Sequence, residues 1–134
     1  MRHNLLLGSI AALLALLTAE TRAAEPEGVL LCSVEGGGHD CEKGRCNRSQ
    51  VTAGNEFRFD FASKQLCALR DGTCTQPQAI HFAMIEEETK TWVVVISAQG
   101  NSAVYRVGAD YRMLMTFLIG TGRAVIFEGK CRKP

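Results

Sequence analysis

The sequence predicts an all-β fold: a small antiparallel barrel or sandwich of about seven or eight strands, stabilised by disulfides. Three observations carry this. From Trp92 to Cys131 run four short apolar stretches rich in β-branched and aromatic residues. They are parted by the turn clusters Gln99-Gly100-Asn101-Ser102, Gly108-Ala109-Asp110 and Gly120-Thr121-Gly122, the pattern of an antiparallel meander. Upstream, Phe57-Arg58-Phe59-Asp60-Phe61 alternates between aromatic and charged residues, as a strand with one buried face does. Finally, six cysteines are spread from Cys32 to Cys131, and no segment keeps a helical period over a convincing length.

Residues 1–23 read as a secretory signal peptide. Arg2 and His3 precede an apolar run from Leu5 to Leu17, and Thr21-Arg22-Ala23 sets small residues before the expected cut. The apolar run is short for a membrane span. Val29-Leu30-Leu31-Cys32 is no lipoprotein site, because bulky Leu31 precedes the cysteine. Residues 24–134 are then expected to form one domain. Of the 15 basic and 14 acidic residues, Arg2, Arg22 and Glu20 fall in the leader, which leaves 13 of each. A domain with no net charge and no basic stripe is a poor nucleic-acid binder, so none is expected as partner.

An even number of cysteines in an exported chain reads as a disulfide framework, with 15 possible connectivities. His39-Asp40-Cys41 and Cys46 include metal-ligand types, but no CxxC pair exists and the next histidine is His81. Neither a metal nor a cofactor is expected.

The individual elements follow in order. Val29–Val34 is a first strand carrying Cys32. Glu35–Gln50 is polar and Gly-rich, and a surface loop stapled by Cys41 and Cys46 is expected there. Asn47-Arg48-Ser49 matches a glycosylation sequon by a motif too short to argue from. After the aromatic strand, Ala62–Gln65 reads as a turn and Leu66–Leu69 as the partner strand. Asp71-Gly72 is a tight turn before Cys74, Gln76–Ala79 is linker-like around Pro77, and Ile80–Ile85 is a further strand. Glu86-Glu87-Glu88 is a solvated acidic loop.

In the meander, Tyr111, Met113, Met115, Phe117 and Ile119 share one wholly apolar face. Arg112, Leu114, Thr116 and Leu118 share the other, so the strand is expected to be central and partly covered on both sides. On this scaffold Cys32 and Cys131 occupy the first and last strands, Cys67 and Cys74 flank a turn, and Cys41 and Cys46 bracket four residues. The pairing Cys32–Cys131, Cys41–Cys46, Cys67–Cys74 follows from the adjacency of elements. An exchange among Cys32, Cys41 and Cys46 is also compatible with it.

No catalytic set converges. Beyond the leader the histidines are His39, in the Gly-rich segment, and His81; no Gly-x-Ser-x-Gly elbow occurs. Paired cysteines leave no nucleophilic thiol. Gly36-Gly37-Gly38 follows a strand, but no helix follows it to hold a phosphate. The expectation is a protein that binds rather than catalyses. A disulfide-closed β scaffold holds its loops at low entropic cost, and the small residues from Gln99 to Ala103 make a narrow tip able to enter a cleft.

The cysteines near both ends, the sheet-only pattern and the small-residue loop running into Ala103-Val104-Tyr105 resemble the bacterial periplasmic and membrane-bound inhibitors of C-type lysozyme. The resemblance implies an eight-stranded barrel in which a Ser/Gly-rich loop ending in Ala-x-Tyr enters the lysozyme cleft. Ser97, Gly100, Ser102, Ala103 and Tyr105 would form that loop, and Asn101, within the same turn, is a further candidate binding residue. Arg123, within Gly122-Arg123-Ala124, would stand near the place where the family has Lys-Gly followed by Ala. Val104 departs from the family's arginine before the tyrosine. Phe57–Cys74 and Gly129-Lys130-Cys131-Arg132 are also similar to small exported proteobacterial proteins of unassigned function. The expected object is therefore a monomeric periplasmic or secreted domain without a stable membrane span. Its expected partner is a protein or cell-envelope component, C-type lysozyme among the candidates. A small secreted hydrolase and a purely structural envelope protein are the alternatives.

Overall fold

The longest strand sits at the centre of the sheet and has a neighbour on each edge. In the computed structural model, which describes residues 23–49, 55–120 and 122–134, β1 (Val29–Glu42) pairs along one edge with β10 (Arg123–Arg132). Its other edge is shared between β3 (Glu56–Asp60), on Val29–Ser33, and β2 (Arg45–Ser49), on Gly38–Glu42. The remaining strands are β4 (Gln65–Arg70), β5 (Thr73–Ala79), β6 (Phe82–Ile85), β7 (Trp92–Ala98), β8 (Asn101–Val107) and β9 (Arg112–Ile119). All pair antiparallel, in the order β5-β4-β3-β1-β10-β9-β8-β7-β6, with β2 beside β1. The signal peptide expected over 1–23 lies, apart from Ala23, outside the described residues.

These ten strands curl into a half-barrel. Its two ends approach at a corner where β5 and β6 follow one another. β5 runs along β4 and β6 along β7. Between them the Ile80 N–H donates to the Lys64 carbonyl and the His81 N–H to the Val95 carbonyl. One extended segment thus serves both ends of the sheet.

One strand more than expected, β2, comes from the polar segment 35–49, which is not a surface loop. It continues β1 past a bulge and folds back as β2, with Cys41 directly opposite Cys46. Between Val34 and Gly38 the register against β10 slips by two residues, and Gly36 and Gly37 take left-handed φ of 91° and 78° there. A slip of two keeps the side-chain alternation intact, so Gly38 and Asp40 still face the concave side as Cys32 and Val34 do. The stretch around Pro77 is likewise strand, not linker. Gln76 and Pro77 lie opposite Cys67 at a register shift of β5, so Pro77 is placed at a bulge on an edge strand, where its missing N–H costs no ladder bond.

The concave side holds one core. Leu30, Phe59, Val94 and Val107 are fully enclosed. An aromatic chain crosses the interior: Tyr105 meets Phe59 edge-on at 4.9 Å, Phe59 stacks on Phe61 at 6.2 Å, and Phe61 meets Trp92 edge-on at 5.3 Å. Each such pair contributes on the order of 1 kcal/mol beyond burial, and together they tie β3 to β7 and β8 across the barrel. Gly38 and Gly129 permit the tight coiling beside the bulge. A Cβ on Gly38 would strike the Phe127 ring, and one on Gly129 would strike the Ser33 carbonyl and the Met113 methyl.

The convex side differs from expectation at β9. The strand is central, between β8 and β10, but its second face is uncovered, with Leu114 and Leu118 exposed at 41% and 44%. The sheet has no second layer there.

All six cysteines pair, as Cys32–Cys131, Cys41–Cys46 and Cys67–Cys74. Such a framework points to an oxidising, extracytoplasmic location. The first bond spans 99 residues and the others five and seven. Loop-closure entropy assigns about 4.7 kcal/mol to a loop near 100 residues and about 2–2.5 kcal/mol to the short ones. In urea unfolding, Cys32→Ser/Cys131→Ser is expected to lose roughly twice the stability lost by Cys41→Ser/Cys46→Ser. Equal losses would show that the long crosslink does not constrain the unfolded chain as described.

Candidate functional site

The turn between β7 and β8 is only two residues long. Ala98 pairs with Asn101, and Gln99 and Gly100 take φ of 52° and 80°, the two left-handed positions that a type I′ hairpin turn requires. Gly100 adopts this without penalty, whereas Gln99 costs on the order of 1 kcal/mol and persists because the flanking ladder imposes it. Asn101 and Ser102, expected within the loop, are the first residues of β8.

Three hydrogen bonds hold the tip. The Ser97 and Ser102 hydroxyls bond across the hairpin at 3.2 Å. The Ser97 N–H donates to His81 Nδ1 at 3.3 Å. The Gly120 N–H, at the β9–β10 turn, donates to Asn101 Oδ1 at 3.3 Å. The tip is therefore braced on one side by the segment leading into β6 and on the other by the neighbouring hairpin. Gln78, Gln99, Asn101, Ser102 and Phe117 line a shallow hollow at its foot.

The residues expected to form one site separate into three groups. Ser97, Gly100, Asn101 and Ser102 come together at the tip. Ala103 and Tyr105 continue the same strand, but their side chains are core, only 4% and 3% exposed. Arg123 lies on the far side of β9, at the start of β10. Its guanidinium binds Asp40 through two hydrogen bonds, Nε donating to Oδ1 at 2.9 Å and a terminal nitrogen to Oδ2. The bond from Arg123 holds the Asp40 carboxyl below the usual carboxylate range, with their mutual attraction adding to it. A lowered folded-state pKa means that this pair supports the fold above the ordinary carboxylate range and ceases to as pH falls through the lowered value.

Sequence reasoning did not find this pair, since residues 40 and 123 become neighbours only through the β1–β10 register. On the concave side of the β1–β2 hairpin, Asp40, Glu42, Arg45, Asn47, Ser49 and Arg123 line a broad polar hollow. Among the described residues no cluster of three or more metal-ligating side chains occurs. The chain matches no known protein family, curated protein or solved structure.

Burial pushes the Tyr105 phenol up to about 12 from an ordinary value of 10.0. The unfolded chain ionises first, so this tyrosine supports the fold fully below pH 10 and stops doing so as pH rises toward 12. A shift of that size corresponds to roughly 2–3 kcal/mol. Wild type is expected to lose that much more stability than Tyr105→Phe when urea unfolding is moved from mildly to strongly alkaline buffer. Parallel losses in the two proteins would contradict the burial of this phenol.

Proposed function

We propose that the protein is an exported, periplasmic or secreted binding module whose β7–β8 tip enters a cleft of a protein partner in the cell envelope, with C-type lysozyme as the first candidate. The observation that carries this reading is the bracing of the tip. A two-residue turn, held by one hydrogen bond across the hairpin and by one from each flanking side, loses little conformational freedom on binding. Its outermost residues, Gln99 and Gly100, are small or slender, exposed and uncharged, as insertion into a narrow cleft demands.

Within this reading Ser97, Gly100, Asn101 and Ser102 make the contact. Ala103 and Tyr105 act from below: Tyr105 anchors β8 against Phe57 and Phe59, so the tip stands on a rigid strand. Arg123 has a separate part, since its ion pair with Asp40 stiffens the neighbouring rim. The likeness of Ser97–Tyr105 to the lysozyme-inhibitor loop names the candidate. No acid–base or nucleophilic pair is needed for it.

The decisive experiment titrates purified mature protein into a cell-wall lysis assay with C-type lysozyme. Stoichiometric loss of lytic activity is the expected result. Gly100→Arg, judged folded by its melting transition, is expected to weaken inhibition by roughly thirtyfold, the loss of an anchor worth about 2 kcal/mol. Absence of inhibition at large molar excess would dismiss lysozyme as partner. Full inhibition by Gly100→Arg would dismiss the tip.

A further inference from the structure

The three crosslinks differ in what surrounds them. Cys32 and Cys131 are 2% and 7% exposed, inside the apolar cluster. Cys67 is buried at 3%, while its partner Cys74 is exposed. In the third pair Cys41 is half-buried and Cys46 exposed, so neither cysteine belongs to the core. A thiolate reaches an exposed disulfide most readily, and exposed bonds are the labile ones.

The β1–β2 flap presents this bond on its convex side. Asp40, Glu42, Arg45 and Asn47 take the concave positions, which leaves His39, Cys41, Cys46 and Arg48 on the other face. On β10 the neighbour of Cys41 is Ala124, too small to overhang it. On the far side, β2 pairs with no strand but β1 among the described residues. Arg48 follows Cys46 by two residues, about 6.8 Å along the strand, within the span of an arginine side chain. Its guanidinium joins none of the salt bridges among the described residues. A fixed cation beside a disulfide draws in the attacking thiolate and stabilises the one that departs. The Cys67–Cys74 bond lacks this help. Arg58, opposite Cys67, is held by Asp60 at 3.2 Å, and Cys67 would depart as a buried thiolate, which desolvation disfavours.

What the bond holds follows from the residues of β2. Arg45-Cys46-Asn47-Arg48-Ser49 has no apolar side chain beyond the cysteine, and only Ser49 is half-buried. Five ladder pairs and the crosslink attach the strand to β1, and a two-stranded pairing without an apolar face is marginal in water. The same stretch of β1 is held independently by β10, from Gly38 opposite Phe127 to Glu42 opposite Arg123. Opening the bond therefore loosens β2 and spares the rest of the sheet. Asn47 and Ser49 leave the polar hollow with β2, whereas Asp40 and Arg123 stay bound to one another.

We infer that Cys41–Cys46 is a redox-released latch on the β1–β2 flap, opened by a protein dithiol that attacks at Cys46 beside Arg48. The attacking thiolate bonds to the Cys46 sulfur, the S–S bond breaks, and Cys41 leaves as a thiolate that takes up a proton. The second thiol of the dithiol then displaces Cys46 from the mixed disulfide. Two electrons pass to the flap, the dithiol becomes a disulfide, and its two protons end on Cys41 and Cys46. The latch is independent of the partner proposed for the β7–β8 tip.

The test exposes disulfide-intact mature protein to dithiothreitol without denaturant, followed by acid quench, alkylation and peptide mass. Cys41 and Cys46 are expected to label roughly tenfold faster than the remaining cysteines. Glutathione, a single thiol, is expected to be trapped as a mixed disulfide on Cys46. Arg48→Glu is expected to slow the reduction roughly threefold, and Arg48→Lys to restore it. In hydrogen exchange, reduction of this bond alone is expected to lower amide protection over 45–49 roughly tenfold, with β3, β8 and β10 unchanged. Another pair reduced first or at the same time, a mixed disulfide on Cys41, a rate indifferent to Arg48→Glu, or unchanged protection of β2 would each overturn the latch.

Discussion

Everything in this fold is placed by the pairing of β1 with β10. β1 is near the middle of the strand order, and each half of the sheet hangs from one of its edges. The last strand of the chain therefore pairs with the first, across the whole domain, and this pairing joins the two halves. Such a contact is entropically expensive to close. Cys32 and Cys131 are directly opposite one another in that pair, so the crosslink sits on the contact with the greatest closing cost. Both cysteines are buried within the apolar cluster, where the bond packs like a pair of small hydrophobic side chains.

The same pairing explains why the two faces of the sheet have different chemistry along their length. Where β3 lies beside β1, the concave side carries Leu30, Cys32 and Val34 and belongs to the core. Past the bulge, β2 replaces β3 and the concave positions become Asp40, Asn47 and Ser49, facing the hollow. No apolar layer follows the sheet this far, so polar residues there stay hydrated at no cost. The aromatic chain from Tyr105 to Trp92 stops short of this extension. The core is thus a feature of the closed part of the half-barrel, and the β1–β2 hairpin extends beyond it as a disulfide-stapled flap.

Much of this was legible in the residues themselves. Alternation identified Phe57, Phe59 and Phe61 as one buried face, and the meander from Trp92 to Cys131 lies on its expected runs, because half-buried strands print a period of two. Segment 35–49 carried no such print. Its strands have polar residues on both faces, and its glycines serve a bulge that looks from sequence like a loop. Leu114 and Leu118 misled in the opposite way: their apolar character suggested a covering layer, but exposure depends on what packs above a strand, which a single strand's pattern does not contain. The bracing of the tip was illegible for a third reason. Asn101 reaches Gly120 and Ser97 reaches His81 only across strands whose register is set elsewhere, so sequence showed a turn of small residues without showing that it is held.

The tip and the convex face also differ in how much they can ask of the fold. Residues 97–102 are tied to β6 and to the β9–β10 turn, so a change at the tip is transmitted into hydrogen bonds that position two other elements. On the convex face the side chains of Leu114 and Leu118 stand exposed on β9. Leu118 can be replaced without opening the core, because the core residues of β9 are Met113 and Met115, on the opposite face. A rigid tip and a loosely constrained apolar face are different physical solutions, suited to different tasks. The first limits the entropy lost in fitting a narrow cleft. The second presents area, with Leu114 and Leu118 exposed on a strand whose other face is core.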